Sequence, residues 1–174
     1  DSNELENLFF VHPTSWKIWS AFPHVLMIDV TYKTNKYNKP LVEIVGVTST
    51  RKTFSVGFVF IHREKETNYT LVLNCVKSIL DKCMHPRVKI TDRELALINA
   101  CETVFPDATR QLCRWHIEQN ILKISSKIIT LDDDRNSSRI LWNLLVGSPT
   151  LMAYTENYQR LQSMLIKYPR KLVY

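Results

Sequence analysis

The chain contains, at residues 22–32, the run FPHVLMIDVTY, which is apolar and β-branched apart from one acid, Asp29, near its end. Such a run predicts a buried β-strand. A carboxylate there costs free energy unless a cation or a hydrogen-bonding partner meets it. Two interpretations follow. Asp29 faces solvent from an edge strand, or it points from a central strand toward a metal ion.

A second short run, RVKITD at residues 87–92, also predicts a strand and also ends in an acid, Asp92. A helical pattern follows it directly, and residues 91–94 match a helix capping box. An acid in the first turn of a helix is stabilised by the helix dipole alone. A structural role for Asp92 therefore stays open beside a functional one.

The surrounding patterns predict one mixed sheet. Strands of the period-2 type are expected at residues 41–48, 53–61, 87–91 and 108–113, beside the Asp29 strand. Helical periodicity separates the later ones, at about residues 66–84 and 92–105. The predicted fold class is α/β, a mixed five-stranded sheet in the order β-β-β-α-β-α-β flanked by helices.

Three parts are predicted along the chain: an N-terminal arm or strand with a helix at 1–24, a sheet core at 25–115, and a helical region at 116–174. In the last part a stripe of isoleucines marks one helix, residues 131–135 form an acidic break, and a second helix starts at Asn136. A third carries Tyr154, Tyr158, Leu161 and Leu165 on one stripe.

This topology predicts that Asp29 and Asp92 are neighbours. The first strand of such a sheet is central, and a strand that follows a right-handed crossover lies parallel beside it. Two adjacent carboxylates repel unless they share protons or cations. Oxygen ligands favour Mg²⁺ or Mn²⁺, so the pair is a candidate metal site for phosphoryl transfer.

The net charge of +6 and the pI near 9.2 favour a polyanionic partner, although mixed charges often only solvate a surface. Candidate contacts to DNA phosphates are Lys33, Lys36, Lys39, Arg114 and Lys123. Each of these charges, taken by itself, is better explained as a solvated surface charge. Tyr32, Tyr37 and Trp115 lie among them and suit either packing or stacking on an unpaired base.

The cysteines (Cys75, Cys83, Cys101 and Cys113) form no Cys-x-x-Cys pair and are expected to be reduced. Cys113 and His116 invite a zinc interpretation, but a structural site needs four ligands.

No apolar run approaches the roughly 20 residues of a membrane helix. The polar start, DSNELE, is unlike a signal peptide and suggests a domain cut from a longer chain.

Several motifs in order resemble the transposase domain of Mutator-like elements. They are DVTYKTN at 29–35, TDRELA at 91–96, FP at 105–106, LCRWHI at 112–117 and WNLLV at 142–146. The resemblance runs from about Leu8 to Tyr174. It implies a ribonuclease-H-like fold followed by an all-helical insertion, and a DDE transposase, acting in the nucleus, that cuts and rejoins DNA through two metal ions.

The resemblance implies that Asp29 and Asp92 are catalytic, metal-binding acids for Mg²⁺ or Mn²⁺. Cys113 and His116 match the family's Cys-x-x-His motif, which makes His116 a candidate catalytic residue. DNA, as transposon ends and target, is the implied partner, and a homo-oligomer is compatible with it. The family's third acid, a Glu, lies beyond the helical insertion and has no match here. We therefore expect the chain to stop within the insertion and to be inactive alone.

Two alternatives remain. One is a domesticated relative that keeps the fold and the DNA contacts as a transcription regulator without catalysis. The other is a protein-interaction domain on the same scaffold, with neither metal nor DNA.

Overall fold

The computed structural model describes residues 6–80 and 84–168. It divides into two compact units, one ending at Cys113 and the other beginning at Arg114. In chain order the elements are β1 (Leu8–Phe10), α1 (Pro13–Ala21), β2 (Val25–Thr31), β3 (Leu41–Val47), β4 (Thr53–Phe60), α2 (Glu66–Ser78), β5 (Val88–Thr91), α3 (Leu95–Val104), β6 (Thr109–Leu112), α4 (Arg114–Ile128), α5 (Asp132–Val146) and α6 (Leu151–Leu165).

The first unit is built on one mixed sheet with strand order β1-β4-β3-β2-β5-β6. The strands β1 to β4 pair antiparallel with their neighbours, whereas β2–β5 and β5–β6 are parallel pairs. The predicted α/β class and the central place of the Asp29 strand are confirmed. The ribonuclease-H-like assignment stays a prediction.

The prediction of five strands was one too few. Residues Leu8–Phe10, which the sequence left open between an arm and a strand, pair with the outer edge of β4. The Phe10 ring stacks on that of Phe58, with centroids 5.6 Å apart. This pairing satisfies backbone groups along β4 that an edge strand would leave open.

The core is built from the inward-facing residues of the strands and of the helices. On β2 the alternate residues Leu26 and Ile28 are buried, next to Val42 and Ile44 of β3. Helices α1, α2 and α3 contribute their apolar stripes to the same core cluster, with Trp19, Val72 and Leu97 among its members. Strand alternation and helix periodicity are therefore enough to define the buried face.

The predicted capping box at residues 91–94 is wrong. Thr91 is the buried last residue of β5, held extended by its ladder, and its hydroxyl donates to the Asp92 carbonyl. Helix α3 begins at Leu95, and its N-cap is Glu94, whose carboxylate accepts from the Ala96 amide at 3.3 Å. Asp92 therefore lies before the helix, so stabilisation in a first helical turn does not explain it.

The helical unit also begins its second helix earlier than expected. The predicted acidic break is wrong, because Asp132, Asp133 and Asp134 form the first turn of α5. Acids are favoured there by the positive end of the helix dipole.

In α6 the predicted apolar stripe is only partly inward. Leu161 and Leu165 are half-buried, but Tyr154 and Tyr158 are exposed and stack on each other.

Two other expectations concern helix ends and membranes. Helix α2 ends at Ser78 rather than near residue 84, and the predicted stripe position Cys83 lies outside the described residues. Among the helices that the structure describes, none is long and apolar enough to cross a membrane.

A buried lysine ties β5 to the end of α3. Lys89 is fully buried, and its ammonium group donates to the carbonyls of Cys101 and Phe105 at 3.3 and 2.9 Å. It also pairs with Glu102 at 2.8 Å. Each of these carbonyls also accepts from a backbone amide, that of Phe105 for Cys101 and that of Ala108 for Phe105. The ammonium group therefore adds a second, charged donor at the helix C-terminus, where cations are favoured.

We expect Lys89→Met to lower the free energy of unfolding by about 2–4 kcal/mol, because the two carbonyls lose a charged donor and Glu102 loses its partner while the packed volume is kept. Chemical denaturation measures this change. Lys52→Met, at an exposed turn position, is the matched control. Equal midpoints for the two variants would contradict a stabilising role for Lys89.

Candidate functional site

The parallel register of β2 and β5 places Asp29 and Asp92 at neighbouring positions. Val25 pairs with Val88, Leu26 with Lys89 and Met27 with Ile90. The same offset, continued two residues past the last paired residues, would set Asp29 beside Asp92, which directly follows β5. Paired positions on adjacent strands lie about 4.8 Å apart and direct their side chains to the same face. Both acids therefore lie at the carboxyl ends of two adjacent strands.

The alternation of β2 also sets the direction of Asp29. Leu26 and Ile28 fill the core on one face, so Asp29 lies on the opposite face, where it is half-buried. β2 is central in the sheet, which excludes the interpretation of Asp29 as a solvated residue on an edge strand. Asp92 is half-buried as well, and its carboxylate accepts from the Glu94 amide at 3.1 Å.

A third acid lies at the same level. Glu43 of β3 is the cross-strand partner of Asp29. The β2–β5 register, if continued, would align Asp92 with these two acids from the other side of β2. Like charges directly opposite one another destabilise a sheet. The Ser55 hydroxyl on β4 donates to Glu43 at 2.6 Å and engages its carboxylate on the side away from β2. Glu43 was not among the predicted residues, although an acid within the otherwise apolar run LVEIVGV was a usable signal.

The donor set suits a hard divalent cation. Mg²⁺ and Mn²⁺ take oxygen ligands, and Mg²⁺ keeps several waters, so one or two carboxylates are enough to hold it. Asp29 and Asp92 fit that requirement by chemistry and by strand position. Within residues 6–80 and 84–168, however, no group of three or more His, Cys, Asp or Glu side chains is arranged to hold a metal. Among the described residues, Asp29 and Asp92 are therefore the candidate ligands.

Next to the acids lies a hydrogen-bonded group of one carboxylate and two phenols. The hydroxyls of Tyr32 and Tyr69 both donate to the same Glu64 oxygen, at 2.5 and 3.1 Å. Desolvation of the hydroxyl raises the pKa of each tyrosine, and Glu64 adds to it; Asp92 and Glu94 add further to that of Tyr32. Both phenols therefore stay neutral donors. Glu64 was missed because its bond to Tyr32 spans 32 residues and no local pattern links them.

The lysine-rich loop after β2 has one organising side chain, Asn35. Its carbonyl oxygen accepts from the amides of Tyr37 and Lys39 at 3.1 and 3.2 Å, and its amide group donates to the Lys39 carbonyl at 2.7 Å. Lys33 and Asn38 adopt left-handed backbone angles, φ 58° and 52°. Lys33 and Lys36 are exposed and Lys39 is half-buried. The loop is thus a preformed basic turn that follows the acid-bearing strand.

The remaining predicted residues divide between the two units. Cys113 follows β6 and is half-buried, and its amide donates to the Thr91 carbonyl at 2.7 Å. In the helical unit, Arg114 and Lys123 are exposed on α4. His116 is half-buried, with its ring edge-on to Trp115 at 4.8 Å. Among the described residues no set of ligands supports the zinc interpretation.

The cysteines that the structure describes are free thiols, as expected. Cys101 lies in the core, where burial raises its pKa to about 12. Such a thiol stays protonated and unreactive at neutral pH.

Comparison with known proteins gives one family and several relatives. The model of the MULE transposase domain matches residues 25–120. FAR1-RELATED SEQUENCE 5 of Arabidopsis thaliana is 28% identical over 118 residues, which cover 67% of this chain and 15% of that protein. FAR1-RELATED SEQUENCE 6 of the same plant is 30% identical over 121 residues, 70% of this chain and 17% of that protein.

A third relative is the PKS-NRPS hybrid synthetase cheA of Chaetomium globosum. It is 31% identical over 105 residues, which cover 59% of this chain and 2% of the synthetase. The chain thus spans less than a fifth of the length of each of these curated relatives.

We expect Asn35→Ala to release the basic loop, because two backbone amides lose their acceptor. The free energy of unfolding should fall by about 1–2 kcal/mol, and the Tyr37 and Lys39 amides should exchange faster with solvent. Hydrogen exchange followed by NMR measures both amides. Asn35→Asp, which keeps the acceptor oxygens, should retain their protection; equal exchange in the two variants would contradict this role.

Proposed function

The chain belongs to the MULE transposase domain family, and we propose that it carries the metal-dependent DNA-cleaving site of a DNA transposase. The observation that supports the proposal is the parallel β2–β5 register, which would bring Asp29 and Asp92 to neighbouring positions if it continued for two residues. Membership of this family supports DNA as the partner. A protein that acts on chromosomal DNA would do so in the nucleus.

In this proposal Asp29 and Asp92 would hold a divalent cation through their carboxylates. Such an ion would supply Lewis-acid chemistry for phosphoryl transfer. The chain's own residues do the rest. The two carboxylates fix the position of the site on rigid strands, and the basic loop of Lys33 and Lys36 neutralises the phosphates of the incoming strand.

A second candidate is a DNA-binding regulator without catalysis. It is favoured by the absence, within the described residues, of a third side chain arranged with the two acids around a metal. Phosphoryl transfer with two metal ions requires that the attacking oxygen and the leaving oxygen are both held in position. We expect the chain by itself to bind DNA and to cleave it poorly for this reason. The remaining alternative, a protein-interaction domain, differs from these two candidates because it would bind a protein and not DNA.

Binding to duplex DNA should be electrostatic, with affinity falling steeply between low and physiological salt. Changing both Lys33 and Lys36 to Gln should lower the slope of log affinity against log salt by about 1.8, at roughly 0.9 per phosphate contact. Fluorescence anisotropy measures the slope. A matched double change at the exposed positions Lys17 and Lys52 should leave it unaltered. Salt-independent binding would favour the protein-interaction alternative.

Metal binding should depend on both acids. Asp29→Asn and Asp92→Asn should each weaken Mn²⁺ binding about tenfold or more, because each removes one of two anionic ligands. Free Mn²⁺ measured by electron paramagnetic resonance reports the affinity. The control is Asp107→Asn, an exposed acid after α3. Equal affinity in all variants would remove the two-acid site from the proposal.

A nicking assay separates the two candidate functions. With Mg²⁺ or Mn²⁺, the chain alone should cleave labelled DNA about a thousandfold or more slowly than a longer chain carrying a third acid, since the described residues place no such electrostatic stabiliser with the two acids. Robust cleavage by the chain itself, abolished by Asp29→Ala, would contradict that expectation and show that another carboxylate completes the site.

A further inference from the structure

Tyr32 is an aromatic residue in an unusual position. It directly follows β2, three residues after Asp29, and 55% of it is exposed to solvent. A tyrosine that serves only packing buries its ring and leaves its hydroxyl at the surface. Here the hydroxyl is bonded to Glu64 although more than half of the residue is exposed. Part of the ring is therefore accessible to a ligand.

Hydrogen bonds connect the Tyr32 side chain to the core through Glu64. Glu64 accepts from Tyr32 and also, through the same oxygen, from Tyr69, which is fully buried. The hydroxyl group of Tyr32 is thus held by the Glu64 carboxylate, and that carboxylate is itself held by the buried Tyr69. A ring already held in place loses little conformational entropy when a ligand covers it, which favours binding.

The charges around the ring select the class of ligand. On one side lie the acids of the proposed cleavage site, with Asp92 close enough to raise the pKa of Tyr32. On the other side the chain continues into the basic loop through Lys33, which is exposed. A strand whose phosphates follow the lysines would pass the ring before it reaches the acids. Aromatic side chains in such grooves stack on bases without regard to sequence.

We propose that Tyr32 forms a binding subsite for an unpaired nucleobase at the edge of the two-acid site. The inference rests on the proposed function in DNA cleavage and adds the form of DNA that the site takes. Bases inside a duplex stack on one another, so a side-chain ring can cover only a base that has left the stack or lies at a strand end. Tyr32 is accordingly a positioning residue that holds the strand next to Asp29 and Asp92.

The test compares single-stranded and duplex DNA of the same sequence, each carrying 2-aminopurine, bound to the 174-residue chain in EDTA so that no cleavage occurs. Tyr32→Leu should weaken single-strand binding about 5- to 100-fold, the range of one base–aromatic stack, and remove the change in 2-aminopurine fluorescence. Duplex affinity should change less than about twofold, because phosphate contacts dominate it.

Two further variants separate stacking from a structural effect. Tyr32→Phe keeps the ring and loses only the bond to Glu64, so it should retain the fluorescence change and most of the affinity. Tyr37→Leu removes a second exposed aromatic side chain from the basic loop, 70% exposed, whose ring lies under the Lys36 ammonium group. It should leave single-strand binding within about twofold of that of the unaltered chain, because a ring that is not held in place by the core gains less from stacking.

The failures are distinguishable. If Tyr32→Leu binds single strands as well as the unaltered chain does, the subsite is overturned while DNA binding and the proposed function stand. If Tyr32→Leu and Tyr37→Leu lose affinity equally, general contact with the loop replaces the subsite. If the unaltered chain binds neither form of DNA at low salt, the proposed function itself fails. Circular dichroism confirms that each variant is folded.

Discussion

The alternation of side chains along β2 is the constraint on which the first unit depends. Because Leu26 and Ile28 must face the core, Asp29 must face the other side of the sheet. A slip of one residue would bury the carboxylate and expose the core residues, so the hydrophobic pattern fixes the register. The parallel pairing with β5 then determines where Asp92 lies. The position of the acids is thus a consequence of how the core packs.

Charge is distributed unevenly in this unit. The carboxylates of Glu43 and Glu64 lie near the two acids of the candidate site, in a chain whose net charge is +6. Hydroxyl donors from Ser55 and from two tyrosines satisfy them without adding positive charge. The cations instead occupy the loop that follows β2, held in shape by one asparagine. A negative site beside a positive loop suits a phosphate chain that leads to a bound cation.

Much of the fold could be predicted because the responsible signals are local. Periods of two and of 3.6 residues identified the strands, the helices and the buried face, and the crossover rule placed β5 beside β2. The errors fall where local signals compete with tertiary ones. Thr91 matches a helix cap but is held extended by β5. The acids of residues 132–134 resemble a break, yet a helix dipole stabilises them in a first turn. β1 became recognisable only by its pairing with β4.

The sequence by itself determined the two acids of the candidate site, the strands that carry them and the lysines of the adjoining loop, because each lies within a short periodic or turn-forming segment. Only the tertiary structure decided that Glu43 stands opposite Asp29, that Glu64 links Tyr32 to the buried Tyr69, and that Lys89 closes the end of α3. Each of these contacts joins residues that are distant along the chain. Their partners are chosen by strand register and packing, which no local pattern encodes.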